Sequence, residues 1–157
     1  VYVVLERLAE LVIARRNTRR LLAEGATEEG IAHYPWMVAM HVLWLATIIL
    51  WVATIQPEAD PTFLAAFALV QVLRFWVMAS LGRYWTTRII TLQAAPLVKR
   101  GPYRFLRHPN YVVVVLEIAL LPLVFGAWQV AVIFSVLNAV MLWVRIGAEN
   151  QALAVRR

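Results

Sequence analysis

The sequence predicts an all-α integral membrane bundle of about five transmembrane helices. Three observations carry that prediction. Hydrophobic residues make up 62% of the 157 and the mean hydropathy is +0.71, whereas a soluble domain is roughly half apolar. Several apolar runs approach the ~20 residues that a helix needs to cross a bilayer. All of the 15 Lys and Arg residues except Arg7 and Arg74 lie in three segments that separate or follow those runs. Backbone groups in hydrocarbon must pair within their own segment, so the crossings are helices. No strand pattern competes and no internal repeat is visible. The length suits one domain over 1–157, with no separate soluble unit.

The first crossing, 1 to about 14, is the weakest, because it carries Glu6, Arg7 and Glu10. The second, 35–55, has only His41 as an ionisable residue. The third, 62–81, contains Gln71 and Arg74; the fourth, 111 to about 125, contains Glu117. The fifth, 127–144, contains Gln129 and Asn138, and Pro122 and Gly126 mark a tight turn before it. Charged groups inside a bilayer are costly and face the bundle interior. Glu117 and Arg74 are therefore expected to neutralise each other, His41 to be a buried, hydrogen-bonded histidine, and Glu6, Arg7 and Glu10 to meet water or pair within the bundle.

Charge placement orients these crossings. The stretches 15–34, 82–110 and 145–157 hold the basic residues, while the connection 56–61 offers Glu58 and Asp60 instead. Five alternating crossings put all three basic stretches on one side. The positive-inside rule makes that side cytoplasmic, with the N-terminus outside and the C-terminus cytoplasmic. The net charge of +6 then matches anionic headgroups better than nucleic acid. The long connection 82–109 is expected to lie in the cytoplasmic interface, with short helices anchored by Tyr84, Trp85 and Tyr103.

Composition also excludes chemistry. There is no cysteine, hence no disulfide or thiolate metal site. The three histidines stand at 33, 41 and 108 without metal-binding spacing, so no metal is expected. No glycine-rich dinucleotide fingerprint, phosphate loop or nucleophile elbow is present.

Two constellations remain. Gly101-Pro-Tyr-Arg-Phe-Leu-Arg-His-Pro-Asn-Tyr111 concentrates basic, proline and tyrosine residues just before an apolar run. Proline suits a first helical turn, so His108 is placed to cap the fourth crossing. A helix start with Arg104 and Arg107 nearby would hold a carboxylate or phosphate. An interfacial anchor, Arg on lipid phosphate and Tyr at headgroup level, accounts for the same residues equally well. In the second constellation, Arg145 and Glu149 are four apart and share a helical face, with Asn138 seven residues earlier. That face could line a pocket. A surface ion pair near a helix end is the simpler account.

Together, Leu97-Val98, Gly101-Pro-Tyr103 and Arg107-His-Pro-Asn-Tyr111, followed by Arg145…Glu149, resemble the isoprenylcysteine carboxyl methyltransferase family over about residues 82–153. The N-terminal half, with Glu10-Leu-Val-Ile-Ala-Arg-Arg-Asn17, Gly25-Ala26, Glu29-Gly30 and His33-Tyr34-Pro35, is similar to small bacterial members, some linked to O-methylation of alkylpyrones or alkylresorcinols. The resemblance implies S-adenosylmethionine as methyl donor, yielding S-adenosylhomocysteine, bound at the cytoplasmic end by the half 82–157. Leu97, Val98, Tyr103, His108, Pro109, Asn110, Tyr111 and Glu149 match the family's cofactor positions. Arg145 matches a position that contacts the acceptor, so Arg145, Glu149 and His108 are the expected catalytic residues. Arg88 stands at a further cofactor position with a different residue type. Val113 replaces a usual glycine, and Glu149-Asn150 a doubled glutamate, which leaves the substrate class open.

The implied reaction is O-methylation of a lipid-like anionic acceptor at a bacterial plasma membrane. The acceptor is a carboxylate or a polyketide-derived enol or phenol. Other readings of the residues are a phospholipid N-methyltransferase, a sterol-reductase-like enzyme and a non-enzymatic membrane protein.

Overall fold

The computed structural model describes residues 2–92, 95 and 98–154, with side chains described through 152. Five helices dominate: α1 (Tyr2–Ala23), α2 (Tyr34–Ile55), α3 (Pro61–Leu81), α4 (Pro109–Val124) and α5 (Trp128–Ala154). Residues 31–55, 61–84 and 128–152 are long and apolar enough to cross a membrane, and α4 is a shorter apolar helix. The all-α membrane bundle expected from the sequence is therefore present. The boundaries of α2, α3 and α4 fall within two residues of expectation.

Two elements differ from expectation. Helix α1 does not stop near residue 14 but continues to Ala23, carrying the basic cluster on its last turns. Nothing between Ala14 and Ala23 breaks a helix, and Arg, Leu and Ala favour one. It ends at Gly25 (φ 90°), where the Gly25 amide donates to Leu22 O and the Ala26 amide to Leu21 O, a glycine-terminated helix stop. The second difference is a short antiparallel pair, β1 (Thr27–Glu29) with β2 (Ile89–Thr91), where no strand was expected. Three residues are too few to show alternation, and the partner lies 64 residues away at the Thr27↔Thr91 pairing.

The pairing gathers the α1–α2 and α3–α4 connections at one end of the bundle, beside the last turns of α5. At the other end the Asp60 amide donates to Val124 O at 2.9 Å, and Trp51 Nε1 to Phe125 O at 2.9 Å. The described basic residues of the three segments, with Arg145 standing for the last, thus share an end, as the alternating topology requires. Asp60 caps α3, accepting from the amides of Thr62 (2.8 Å) and Phe63 (3.2 Å), with Pro61 in the first turn.

Helix α4 is the centre of the bundle, packed on both α3 and α5. A core of Trp44, Ile48, Phe67, Ile118 and Phe134 fills the end near Asp60. Ala14, Val70, Val77, Trp85 and Val113 form a second cluster toward the basic end. The valine where the family usually has glycine is thus a fully buried packing residue.

Between the clusters lies a buried charge network. Arg74 bridges Glu10, through both Nε and Nη2, and Glu117, through Nη1 at 2.6 Å. Arg7 reaches Glu10 and Glu117, each at 2.8 Å, and Gln71 donates to Glu117 at 2.9 Å. The expected Arg74–Glu117 pair is therefore half of a four-charge cluster that fastens α1 to α3 and α4. Glu6 is buried, and neither of its carboxylate oxygens has a hydrogen-bond partner among the described residues.

Candidate active site

The connection 82–108 is docked on the bundle by particular contacts. Arg100 Nε donates to Ser80 O at 2.8 Å. Gly101 has φ 57° and packs so closely on α3 that a Cβ there would lie 2.0 Å from Ser80 Oγ. Glycine is required on both counts. The following turn, Gly101–Arg104, buries Pro102 and aims the chain back toward α4. His108 is the N-cap residue and Pro109 opens the first turn, as expected. The imidazole itself makes no capping bond; instead its ring stacks on Tyr111, with centroids 5.3 Å apart.

Helix α5 brings the second constellation to the same place. Tyr111 Oη donates to Glu149 Oε2, and Arg145 Nε donates to Tyr111 Oη at 3.1 Å. His108 Nδ1 lies 3.5 Å from Glu149 Oε2. Arg145 is buried and held by Thr87 O at 2.8 Å and Met37 Sδ at 3.0 Å. The four residues therefore form one cluster at the basic end. Tyr111 is the bridge between the guanidinium and the carboxylate.

Two cavities meet at this cluster. One, of about 390 Å³, opens at the basic end and is lined by Leu21, β2, Val98, Lys99, Tyr103, Arg107, His108, Asn110, Tyr111, Arg145 and Glu149. The other, of about 280 Å³, lies between the helices and is mostly apolar, lined by α1, α2, α4 and α5. Trp85, Thr86, Asn110, Tyr111 and Arg145 line both. Leu8 of α1 and Val38 and Val42 of α2 line the inner cavity and are exposed on the bundle surface. That cavity therefore reaches the flank between α1 and α2.

Of the expected site residues, Val98, Tyr103, His108, Asn110, Tyr111, Arg145 and Glu149 line the outer cavity. Pro109 is buried behind it as a helix-start residue, and Leu97 lies outside the described residues. Arg88 lines the cavity too, but its guanidinium is taken up by Glu28 (2.7 Å) and lies over the Tyr34 ring. The Glu28 bond raises its pKa further above the usual arginine value. Burial, and then the charge of Glu149, pushes the Tyr103 phenol well above the usual range, so it remains a neutral donor. Sequence reasoning missed Trp85, Thr86 and Thr87 as lining residues and assigned Trp85 to the interface; all three follow the short turn Gly82–Tyr84 after α3.

The outer cavity fits a ligand with both charges. Trp85 Nε1, His108 Nε2 and Asn110 Oδ1 are buried and have no partner among the described residues, and orphaned polar atoms around a cavity call for a polar guest. Lys99 and Arg107 offer cations, Glu149 an anion, and Leu21, Ile89, Leu92 and Val98 an apolar wall. This donor set suits the carboxylate, ammonium, ribose and base of S-adenosylmethionine.

Known proteins resemble the chain over most of its length. The Bacillus subtilis (strain 168) protein YpbQ, itself described as uncharacterized, is 41% identical over 153 residues, covering 96% of this chain and 91% of its own. An uncharacterized Haemophilus influenzae (strain ATCC 51907 / DSM 11121 / KW20 / Rd) protein is 25% identical over 152 residues, covering 94% and 88%. No solved structure gives a significant match. The model of the isoprenylcysteine carboxyl methyltransferase (ICMT) family matches residues 63–155, which include α3, the docked connection and both cluster-bearing helices. The chain therefore belongs to the isoprenylcysteine carboxyl methyltransferase family, membrane proteins whose general chemistry is S-adenosylmethionine-dependent methyl transfer.

Proposed function

We propose that the chain, acting as one domain over 1–157, is an O-methyltransferase for a lipophilic anionic acceptor, with donor and acceptor held in the two abutting cavities. The observation that carries this reading is the shared wall. A polar cavity and an apolar one meet at Tyr111 and Arg145, and among the described residues only there does a buried cation face both.

S-adenosylmethionine, when bound, supplies an electrophilic methyl group on a sulfonium. His108, the start of α4 and Lys99 suit its carboxylate. Glu149 suits its ammonium or ribose hydroxyls, and Val98, Tyr103, Asn110 and Tyr111 complete the wall. Arg145 is aimed at the acceptor. Its guanidinium is fixed by Tyr111, Thr87 and Met37, so it offers a positioned positive charge at the junction. A carboxylate or enolate acceptor is already anionic there and needs no base. Alignment of the two reactants then supplies most of the rate. The acceptor's tail occupies the inner cavity and leaves toward lipid between α1 and α2.

The acceptor class that fits is a carboxylate or a polyketide-derived enol or phenol of a bacterial lipid. The positive-inside rule puts the outer cavity on the cytoplasmic side of the plasma membrane. An amine acceptor, as in phospholipid N-methylation, would meet Arg145 as a like charge once protonated.

The test is binding of S-adenosylhomocysteine to the purified protein in nanodiscs by calorimetry. Saturable binding is expected, reduced at least tenfold in Glu149→Ala. In wild-type cells fed labelled methyl donor, an extracted lipid is expected to carry label that Arg145→Ala removes. A monodisperse, folded sample that binds no S-adenosylhomocysteine would overturn the reading.

A further inference from the structure

The inner cavity is not uniformly apolar. At its mouth stand Tyr111 and Arg145. Deeper, three helices each present a polar side chain: His41 on α2, Glu117 on α4 and Asn138 on α5. Glu117 is taken up by Arg7, Arg74 and Gln71. The other two keep unused capacity. Asn138 is 2% exposed, lines the cavity, and its amide makes no hydrogen bond among the described residues. His41 Nδ1 lies 2.8 Å from Met37 O. A carbonyl only accepts, so Nδ1 donates and Nε2 of the neutral ring is left as an acceptor.

A buried amide without a partner is unusual and needs a reason. Packing does not supply one, because a leucine, branched at Cγ with the same number of side-chain heavy atoms, would extend into the cavity without an orphaned polar group. A guest in the cavity supplies one. The depth follows from helix rise. Asn138 is seven residues from Arg145 and Glu117 six from Tyr111, so the polar belt lies roughly 9–10 Å below the junction at ~1.5 Å per residue.

Resting on the methyltransferase reading, we propose that this belt selects acceptors bearing a hydroxyl roughly 9–10 Å along the chain from the methylated oxygen. Asn138 donates to that hydroxyl's oxygen, and the hydroxyl donates a hydrogen bond to His41 Nε2. An extended chain advances ~1.2 Å per bond, so in a fatty acid the matching hydroxyl stands about eight bonds from the carboxylate. Acceptors lacking it would bind with Asn138 still unsatisfied, and that difference is the source of discrimination.

The probes are hexadecanoate and its 4-, 8- and 12-hydroxy derivatives, titrated into the nanodisc-embedded protein with S-adenosylhomocysteine present. The 8-hydroxy acid is expected to bind at least tenfold more tightly than hexadecanoate and the other isomers. Asn138→Leu is expected to erase that preference while leaving hexadecanoate within twofold and S-adenosylhomocysteine affinity unchanged. Equal affinities across the wild-type series overturn the proposal, as does a preference that survives in Asn138→Leu or the absence of any fatty-acid binding. The wild-type series alone suffices should the variant not fold. Failure to bind S-adenosylhomocysteine, measured separately, bears on the methyltransferase reading and not on the positional preference.

Discussion

The chain buries two groups of charge, and they are built on opposite plans. In the cluster of Arg7, Glu10, Arg74 and Glu117, the charges answer one another across α1, α3 and α4. At the junction, Arg145 and Glu149 are linked through the Tyr111 hydroxyl, and neighbouring polar atoms of Trp85, His108 and Asn110 have no partner among the described residues. A closed network of charges holds helices together. An open one leaves capacity for a ligand. The difference teaches where to look for function in a protein whose interior is charged in more than one place.

The sharpest way to break this comparison is to remove a charge from each group. Arg74→Met leaves Arg7 as the one cation against both Glu10 and Glu117, and breaking a buried pair this way costs about 3–5 kcal/mol. A large fall in the thermal midpoint is expected, with donor binding lost only as the fold is lost. The double variant Arg74→Met, Glu10→Gln removes the surplus carboxylate, leaves Arg7 paired with Glu117 and should recover much of the loss. Glu149→Gln should leave the midpoint nearly unchanged while weakening S-adenosylhomocysteine. If Arg74→Met is as stable as wild type, the closed cluster is not what fastens α1.

Next in size is Tyr111→Phe. The ring, and its stack on His108, are kept; the hydroxyl that bridges Arg145 and Glu149 is removed. Arg145 keeps Thr87 O and Met37 Sδ, so it stays buried but loses its register to the carboxylate. Methyl transfer is expected to drop about tenfold in kcat/KM, or about 1.4 kcal/mol, with little change in stability. An unchanged rate would show that the bridge is structural, like the closed cluster.

These differences also explain what the sequence could reveal. Crossings 2 to 5 are bounded by prolines, glycines and charge, so apolar run length finds them. Pro109 after His108 marks a helix start on residue type alone, and the four-residue step from Arg145 to Glu149 places both on one face. The Arg74–Glu117 pair is legible because each is costly in lipid. Glu10 as the third partner is not, since nothing in the sequence says that α1 leans on α3. Likewise β1 and β2 are three residues each and pair across the whole of α2 and α3, so no local pattern announces them. Trp85, Thr86 and Thr87 reach the junction through tertiary contacts, Asn17 Nδ2 donating to Gly82 O and Trp85 O and the Tyr34 hydroxyl pairing with Thr87.

The smallest expected effect sharpens the comparison from the far end of the molecule. Asp60 lies away from both cavities, and its carboxylate accepts two amides at the start of α3. Asp60→Ala removes that cap, worth about 1 kcal/mol. The backbone bond from the Asp60 amide to Val124 O survives the change, so the α2–α3 turn keeps its place beside α4. A modest fall in thermal midpoint is expected, with S-adenosylhomocysteine affinity and methyl transfer unaltered. Helix α3 also carries Arg74, about four turns further on. A loss of activity in Asp60→Ala would therefore mean that fraying at the far end reaches the closed cluster, and that holding the helices and serving the ligand are not separable tasks in this bundle.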